Sequence, residues 1–164
     1  MGRATADDAA GIAIVQAYSW LTTYAGLMPQ EILDARVGRV REQAEFYGKV
    51  IGQGRDYWVA EYGGAVVGFA VSGASRDENF PQDGEIDALY LLKGFQGTGL
   101  GRKLFETCAD ALWKEGFARL IVNCLEGNPS LGFYEHMGGR AVGERSDTLR
   151  GHVICEKILR FELK

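Results

Sequence analysis

Between an apolar run, EIDALYLL (85–92), and a helical pattern opening at Leu100, the chain reads FQGTGLGRK, with glycines at 97, 99 and 101. Glycine costs about 0.5–1 kcal/mol relative to alanine inside a helix or strand, so three at alternate positions belong to a turn that needs a bare backbone. The residues that follow, LGRKLFETCADALWKEG (100–116), place Leu100, Leu104, Phe105, Cys108, Ala111 and Leu112 at three- and four-residue intervals and stop at Gly116. FARLIVNCL (117–125) is again a strand. Strand, helix and strand in that order predict a right-handed parallel crossover, which commits the fold to a sheet with a helix packed across it.

The rest of the chain builds around that unit. Residues 7–25 have helical periodicity, with Ile12, Val15, Ser19 and Thr22 on one stripe and Ile14, Tyr18, Leu21 and Tyr24 beside it. Pro29 opens a second helical pattern that runs to about 51 and ends at GQG. In RDYWVAEYGGAVVGFAVSG (55–73), two strand-like runs flank Gly63-Gly64, a hairpin signal because both central residues can take positive φ. A polar loop (74–84) leads into strand 85–92, whose two faces are both partly buried on this pattern. After 125, Asn128 is placed to cap a helix with Pro129 at its first position, and Gly138-Gly139 closes it. RAVGER and GHVICEKILRFEL finish the chain as strands. The fold expected is α+β (α/β): one domain over 1–164, with a mixed, central twisted sheet of about six to seven strands flanked by helices.

Composition removes several function classes. The net charge of −4 argues against nucleic acid as a partner, since phosphate backbones want a basic face. The longest nearly unbroken apolar run, AVVGFAV (65–71), is far short of a membrane span, and the acidic MGRATADDAA start is no signal peptide. Three cysteines without CxxC spacing fit a cytoplasmic protein with reduced thiols, and the two histidines, His136 and His152, lie near no other metal-ligating cluster.

A strand-to-helix turn gathers free backbone N–H groups beside the positive end of a helix dipole, an arrangement suited to phosphate. Three glycine loops compete for this one. The dinucleotide fingerprint GxGxxG meets Arg102 where its third glycine belongs, and the triphosphate loop GxxxxGK[ST] finds Arg102 five positions after Gly97. The pattern that fits is Gln/Arg-x-x-Gly-x-Gly/Ala: Gln96, Gly97, Thr98, Gly99, Leu100, Gly101.

ALYLLKGFQGTGLGRKLFETC (88–108) and NPSLGFYEHMGGR (128–140) together resemble the GNAT superfamily of acetyl-CoA-dependent N-acetyltransferases, and SWLTTYAGLMP (19–29) resembles the first-helix signature of its small bacterial members. The resemblance spans nearly the whole chain. It departs in four places: only MGRAT is available for the family's opening strand, Lys93 stands where proline is common, Ser130 replaces a frequent alanine, and Gly139 replaces an aromatic.

The resemblance implies acetyl-CoA as co-substrate and no metal. It assigns pantetheine to the end of the strand at Leu89 and Leu91. The pyrophosphate falls to the loop Gln96, Gly97, Thr98, Gly99, Leu100, Gly101 and Arg102, with Asn128 nearby. Backbone N–H groups near Leu91 would support the oxyanion. Tyr134 occupies the position of the tyrosine that hydrogen-bonds the coenzyme sulfur and protonates the departing thiolate. Glu85 stands where several members carry a catalytic glutamate, Asp87 shares its face two residues on, and other members use ordered water. Cys124 reads either as a covalent relay or as a small apolar filler. Trp20 and Tyr24, four apart on one helix face, read either as core packing or as an aromatic wall for a cationic amine. The acceptor implied is an amine of a small molecule or a peptide, and a homodimer is the common assembly in such families. Two readings outside the enzyme class are a non-catalytic acyl-CoA sensor of the same fold and a nucleotide-binding regulator.

Overall fold

The computed structural model describes residues 1–164. Its strands are β1 (Gly2–Arg3), β2 (Asp56–Tyr62), β3 (Ala65–Ala74), β4 (Gly84–Leu91), β5 (Arg119–Leu125), β6 (Arg140–Leu149) and β7 (His152–Glu162), and its helices are α1 (Ala9–Thr23), α2 (Gln30–Gly38), α3 (Val40–Val50), α4 (Leu100–Lys114) and α5 (Ser130–His136). All seven strands form one sheet in the order β1-β2-β3-β4-β5-β7-β6. Only β4 and β5 run parallel, as the strand–helix–strand pattern requires. The opening strand is two residues long, paired through Gly2 and Arg3 to Val59 and Trp58 of β2.

Each sheet face is covered by helices whose apolar stripes point inward. On one face, Leu104, Phe105, Cys108 and Leu112 of α4 pack with Ala70, Ile86, Leu120, Val122, Leu159 and Phe161. On the other, Ile12 and Val15 of α1 and Tyr47 of α3 pack with Tyr57, Val59, Phe69 and Val71. Burying a side chain the size of Leu104, which is fully enclosed, contributes about 1.5–3 kcal/mol. Of the two stripes expected on the first helix, Ile12, Val15 and Ser19 go inward and Ile14 and Tyr18 are 45% and 58% exposed, but the pattern reverses at the end, where Thr22 is exposed and Tyr24 is buried.

The helical pattern from Pro29 to 51 is two helices, not one. Gly38 ends α2, and Arg39 leaves helical geometry at φ −108°, ψ 16° before α3 starts. Glycine is the weakest residue there for carrying a helix through. Gly139 also finds its reason: a Cβ there would lie 2.6 Å from the Phe161 ring and 2.9 Å from the Tyr134 carbonyl oxygen, so the chain has no room for the family's aromatic.

Two local irregularities on β4 position the site. Opposite β3, Val71 pairs with Ala88 and Ser72 with Ile86, which leaves Asp87 as a bulge. Opposite β5, pairing stops after Ile86–Val122, although both strands continue. From there β4 and β5 part, and a gap opens in the middle of the sheet.

Candidate active site

One cavity of about 440 Å³ occupies that gap, reaching from the glycine turn to the end of α1. Its lining includes Leu89 and Leu91 on β4; Gln96, Gly97, Gly99, Gly101 and Arg102 on the turn and α4; Asn123 and Cys124 on β5; Asn128 and Tyr134 at α5; and Ser19 and Thr23 on α1 with Tyr24 just after it.

The turn end leaves backbone donors free, an arrangement suited to an anion. Gly97 and Gly99 take φ of 75° and 85°, the left-handed region that glycine enters without a Cβ penalty. Gly99 is also the residue at which α4 begins, so no side chain caps the first-turn N–H groups of this 15-residue helix. Gln96 Nε2 donates to the Leu91 carbonyl at 3.1 Å, and Thr98 Oγ1 donates to the Phe95 carbonyl at 2.5 Å, which together fix the turn. Arg102 is exposed and only loosely paired with Glu106 at 3.9 Å. Thr98 and Leu100 are not in the cavity wall: Thr98 shapes the turn, and Leu100 packs toward the α4 core.

The open edge of β4 supplies backbone groups. Leu92 N–H donates to Val67 on β3, so by strand alternation Leu91 and Leu89 turn their peptide groups toward the edge that β5 has left. Asn128 is tied down by its side chain, whose Oδ1 accepts from Ser130 N–H at 2.8 Å, the capping arrangement expected of it.

Tyr134 sits in the wall between the two ends, buried against Phe133 and Phe161. Burial, with added repulsion from Cys124, Tyr90 and Cys108, pushes its phenol far above the ordinary range, and no hydrogen bond from the chain opposes that. It stays protonated throughout the neutral range. Cys124 is pushed up to about 11 by burial and by Glu156 and Glu135, so it stays a thiol. That favours the filler over the covalent relay, because only a thiolate attacks.

The two carboxylates of β4 differ. Glu85 is 4% exposed, accepts from Arg76 N–H at 3.0 Å, and lies 3.8 Å from Arg55 and 3.6 Å from the Arg76 guanidinium. It is not among the residues lining the cavity, whereas Asp87, carried out by the bulge, is. Asp87 is held by Arg55 Nε and by Arg76 Nη2 at 2.5 Å. Burial, reinforced by the charge of Glu85, raises it to about 6 against the pull of the two arginines.

Trp20 and Tyr24 part company. Tyr24 lines the cavity, but the face of the Trp20 ring is covered by the Arg36 guanidinium at 4.2 Å, and its Nε1 donates to Tyr90 Oη at 3.1 Å. An aromatic wall of both rings does not form; Trp20 instead braces Tyr90, which lines the cavity. Tyr90, Ser19, Thr23 and Asn123 escaped the sequence reading. Only the spacing of Ser19 and Thr23, four residues apart on the helix that carries Tyr24, could have signalled them. No group of three or more His, Cys, Asp and Glu side chains is arranged to hold a metal ion, and no helix is long and apolar enough to cross a membrane.

A mixed sheet split beside a glycine turn, with uncapped helix N–H groups at one end of the gap and hydroxyl side chains at the other, fits the acyl-transfer class that the sequence resembles. Comparison with known proteins makes this specific. The family model described as Acetyltransferase (GNAT) family matches residues 16–139, and the chain belongs to that family. It is 34% identical over 147 residues to the uncharacterized N-acetyltransferase YuaI of Bacillus subtilis, covering 88% of this chain and 82% of that one. It is 31% identical over 127 residues to the probable N-acetyltransferase Rv2775 of Mycobacterium tuberculosis, covering 74% and 70%. Among solved structures, the PaiA N-acetyltransferase of Thermoplasma acidophilum in complex with coenzyme A superposes with a TM-score of 0.77 at 18% identity, over 97% of this chain and 95% of that one.

Proposed function

We propose that the protein transfers the acetyl group of acetyl-CoA directly to an amine, of a small molecule or a peptide, in the cytoplasm. The observation that carries the reading is the continuous cavity through the β4–β5 gap, which joins an anion cradle to a polar acceptor end. The solved Thermoplasma relative with coenzyme A, and a Salmonella typhimurium relative solved with acetyl-CoA, support the choice of donor. Three free cysteines fit a reducing compartment.

In this reading the N–H groups of the Gly97–Arg102 turn and the Arg102 side chain hold the pyrophosphate. Leu89 and Leu91 hold pantetheine by their peptide groups, and the thioester lies between β4 and β5. An ordinary alkylamine is almost wholly protonated at neutral pH, so attack requires a proton acceptor. Asp87 is the β4 carboxylate residue in the cavity lining, and in this reading it takes that proton. The freed nitrogen bonds to the carbonyl carbon while peptide N–H groups near Leu91 stabilise the oxyanion. Collapse breaks the C–S bond as the nitrogen gives up its second proton to water, and Tyr134 donates its proton to the departing thiolate, then recovers one from solvent.

Release of free thiol from acetyl-CoA on adding a panel of amines tests the reading. Tyr134→Phe should lower kcat about 10²-fold, the effect typical of losing a proton donor, with the Kd for acetyl-CoA little changed. An unchanged kcat removes Tyr134 from this role. Stabilisation by acetyl-CoA with no thiol release from any amine would make the protein an acyl-CoA sensor instead.

A further inference from the structure

Several polar side chains along the cavity already have partners. Gln96 donates to Leu91, Asn128 accepts from Ser130, Asp87 is held by two guanidinium groups, and Tyr90 accepts from Trp20. Two lack them. Ser19 Oγ and Asn123 Oδ1 are shut off from the surface and make no hydrogen bond, and both residues line the cavity. Ser19 is only 1% exposed. A helical serine or threonine can return its hydroxyl to a carbonyl one turn back, as Thr22 does with Tyr18 at 3.0 Å; Ser19 does not. A buried oxygen left unpaired costs the full desolvation of that group, so it persists where something else supplies the partner.

Their positions say what they face. Asn123 is the first residue of β5 beyond the last β4–β5 pair, Ile86–Val122, and Asp87 is the matching residue on β4. Carboxamide and carboxylate therefore flank the point where the strands part. Ser19 comes from α1, one helical turn before Thr23, which also lines the cavity.

We propose that Asn123 and Ser19 are the polar contacts of the acceptor: the Asn123 carboxamide holds the amine nitrogen beside Asp87, and the Ser19 hydroxyl pairs with a second polar group on the same molecule. The site then selects amines that carry a hydroxyl or amide over plain alkyl- or arylamines. The inference rests on the acetyl-transfer reading. A hydrocarbon amine would leave the Ser19 oxygen buried and unpaired, whereas a hydroxyl-bearing one removes that penalty as it binds. Sites built to hydrogen-bond a substrate group reject the analogue that lacks it.

The test uses matched pairs within a wider amine panel: 2-aminoethanol against propylamine, and 3-aminopropan-1-ol against butylamine. Wild type, Ser19→Ala and Asn123→Leu are compared by thiol-release kcat and KM, by acetyl-CoA Kd and by Tm without ligand. Wild type should favour the hydroxyl member by about tenfold in kcat/KM, the effect of one net hydrogen bond. Ser19→Ala should bring that ratio to about one, and Asn123→Leu should raise KM about tenfold for every member, both with the acetyl-CoA Kd unmoved. Both variants should melt at or above the wild-type temperature, because each loses an unpaired buried oxygen; a structural role would lower Tm. A hydroxyl preference that survives Ser19→Ala, or a KM unmoved by Asn123→Leu, overturns the proposal. Equal use of both members of each pair by wild type overturns it while acetyl transfer stands. No thiol release from any amine of the panel overturns both.

Discussion

Asp87 and Glu85 lie two residues apart and share Arg55 and Arg76, yet they are set up for different work. The bulge leaves Asp87 in the cavity lining, while Glu85 stays out of it beside Arg55 and Arg76. With Asp87 raised to about 6, its carboxylate accepts a proton above that pH and is already protonated below it, so kcat/KM should fall as pH drops through about 6. Asp87→Asn should lower kcat/KM about 10²-fold and abolish that limb. Glu85→Gln should keep the limb and move it to lower pH, because the charge that helps raise Asp87 is gone. A profile measured on both variants checks this, and a limb that survives Asp87→Asn would pass the proton to water. The sequence showed both carboxylates on one strand. It could not choose between them, because the choice depends on a bulge set by the register with Val71 and Ser72 on another strand.

At the level of elements, the glycine turn and α4 make a joined prediction. Gly99 sits at φ 85°, so Gly99→Ala should cost about 1–2 kcal/mol from left-handed strain and lower Tm even without ligand. Gly101 has helical geometry inside α4, and a Cβ there would meet nothing closer than Phe133 at 3.8 Å. Gly101→Ala should therefore raise the Tm of the free protein, gaining up to about 1 kcal/mol of helix propensity. The same methyl, in the cavity wall at the helix N-terminus, should weaken acetyl-CoA binding about tenfold or more by holding the pyrophosphate off the amides. Calorimetry and a binding titration on the two variants separate backbone strain from ligand approach. This element was legible because its signal is local: glycine spacing, a 3.6-residue period and a terminal glycine. The break at Gly38–Arg39 was less so, since α2 and α3 separately continue one polar, helix-favouring composition. The fate of Trp20 stayed open in the sequence for a related reason. Its spacing from Tyr24 is visible in sequence, but Arg36, which covers its ring, comes from another helix.

Across the whole molecule the decisive feature is that β4 and β5 share only three residue pairs before they diverge, so one short ladder joins the β1–β4 half of the sheet to the β5–β7 half. Sequence pattern announced the parallel pair but not where it would split, nor that β7 would insert between β5 and β6, because strand order beyond a hairpin is set by long-range pairing. The split weakens the centre of the fold, and a ligand lying in it would act as the missing link. Acetyl-CoA at a hundred times its Kd should stabilise the protein by about 2.7 kcal/mol, which for a chain of this size corresponds to roughly 5–10 °C in Tm. If the ligand bridges the gap, hydrogen exchange should slow at Leu89–Leu91, at Gly97–Arg102 and at the end of β5 together, while the exposed edge strand β6 is unaffected. A Tm rise with protection only at the glycine turn would mean that phosphate binding alone is stabilising, and that the thioester does not reach the point where the strands part.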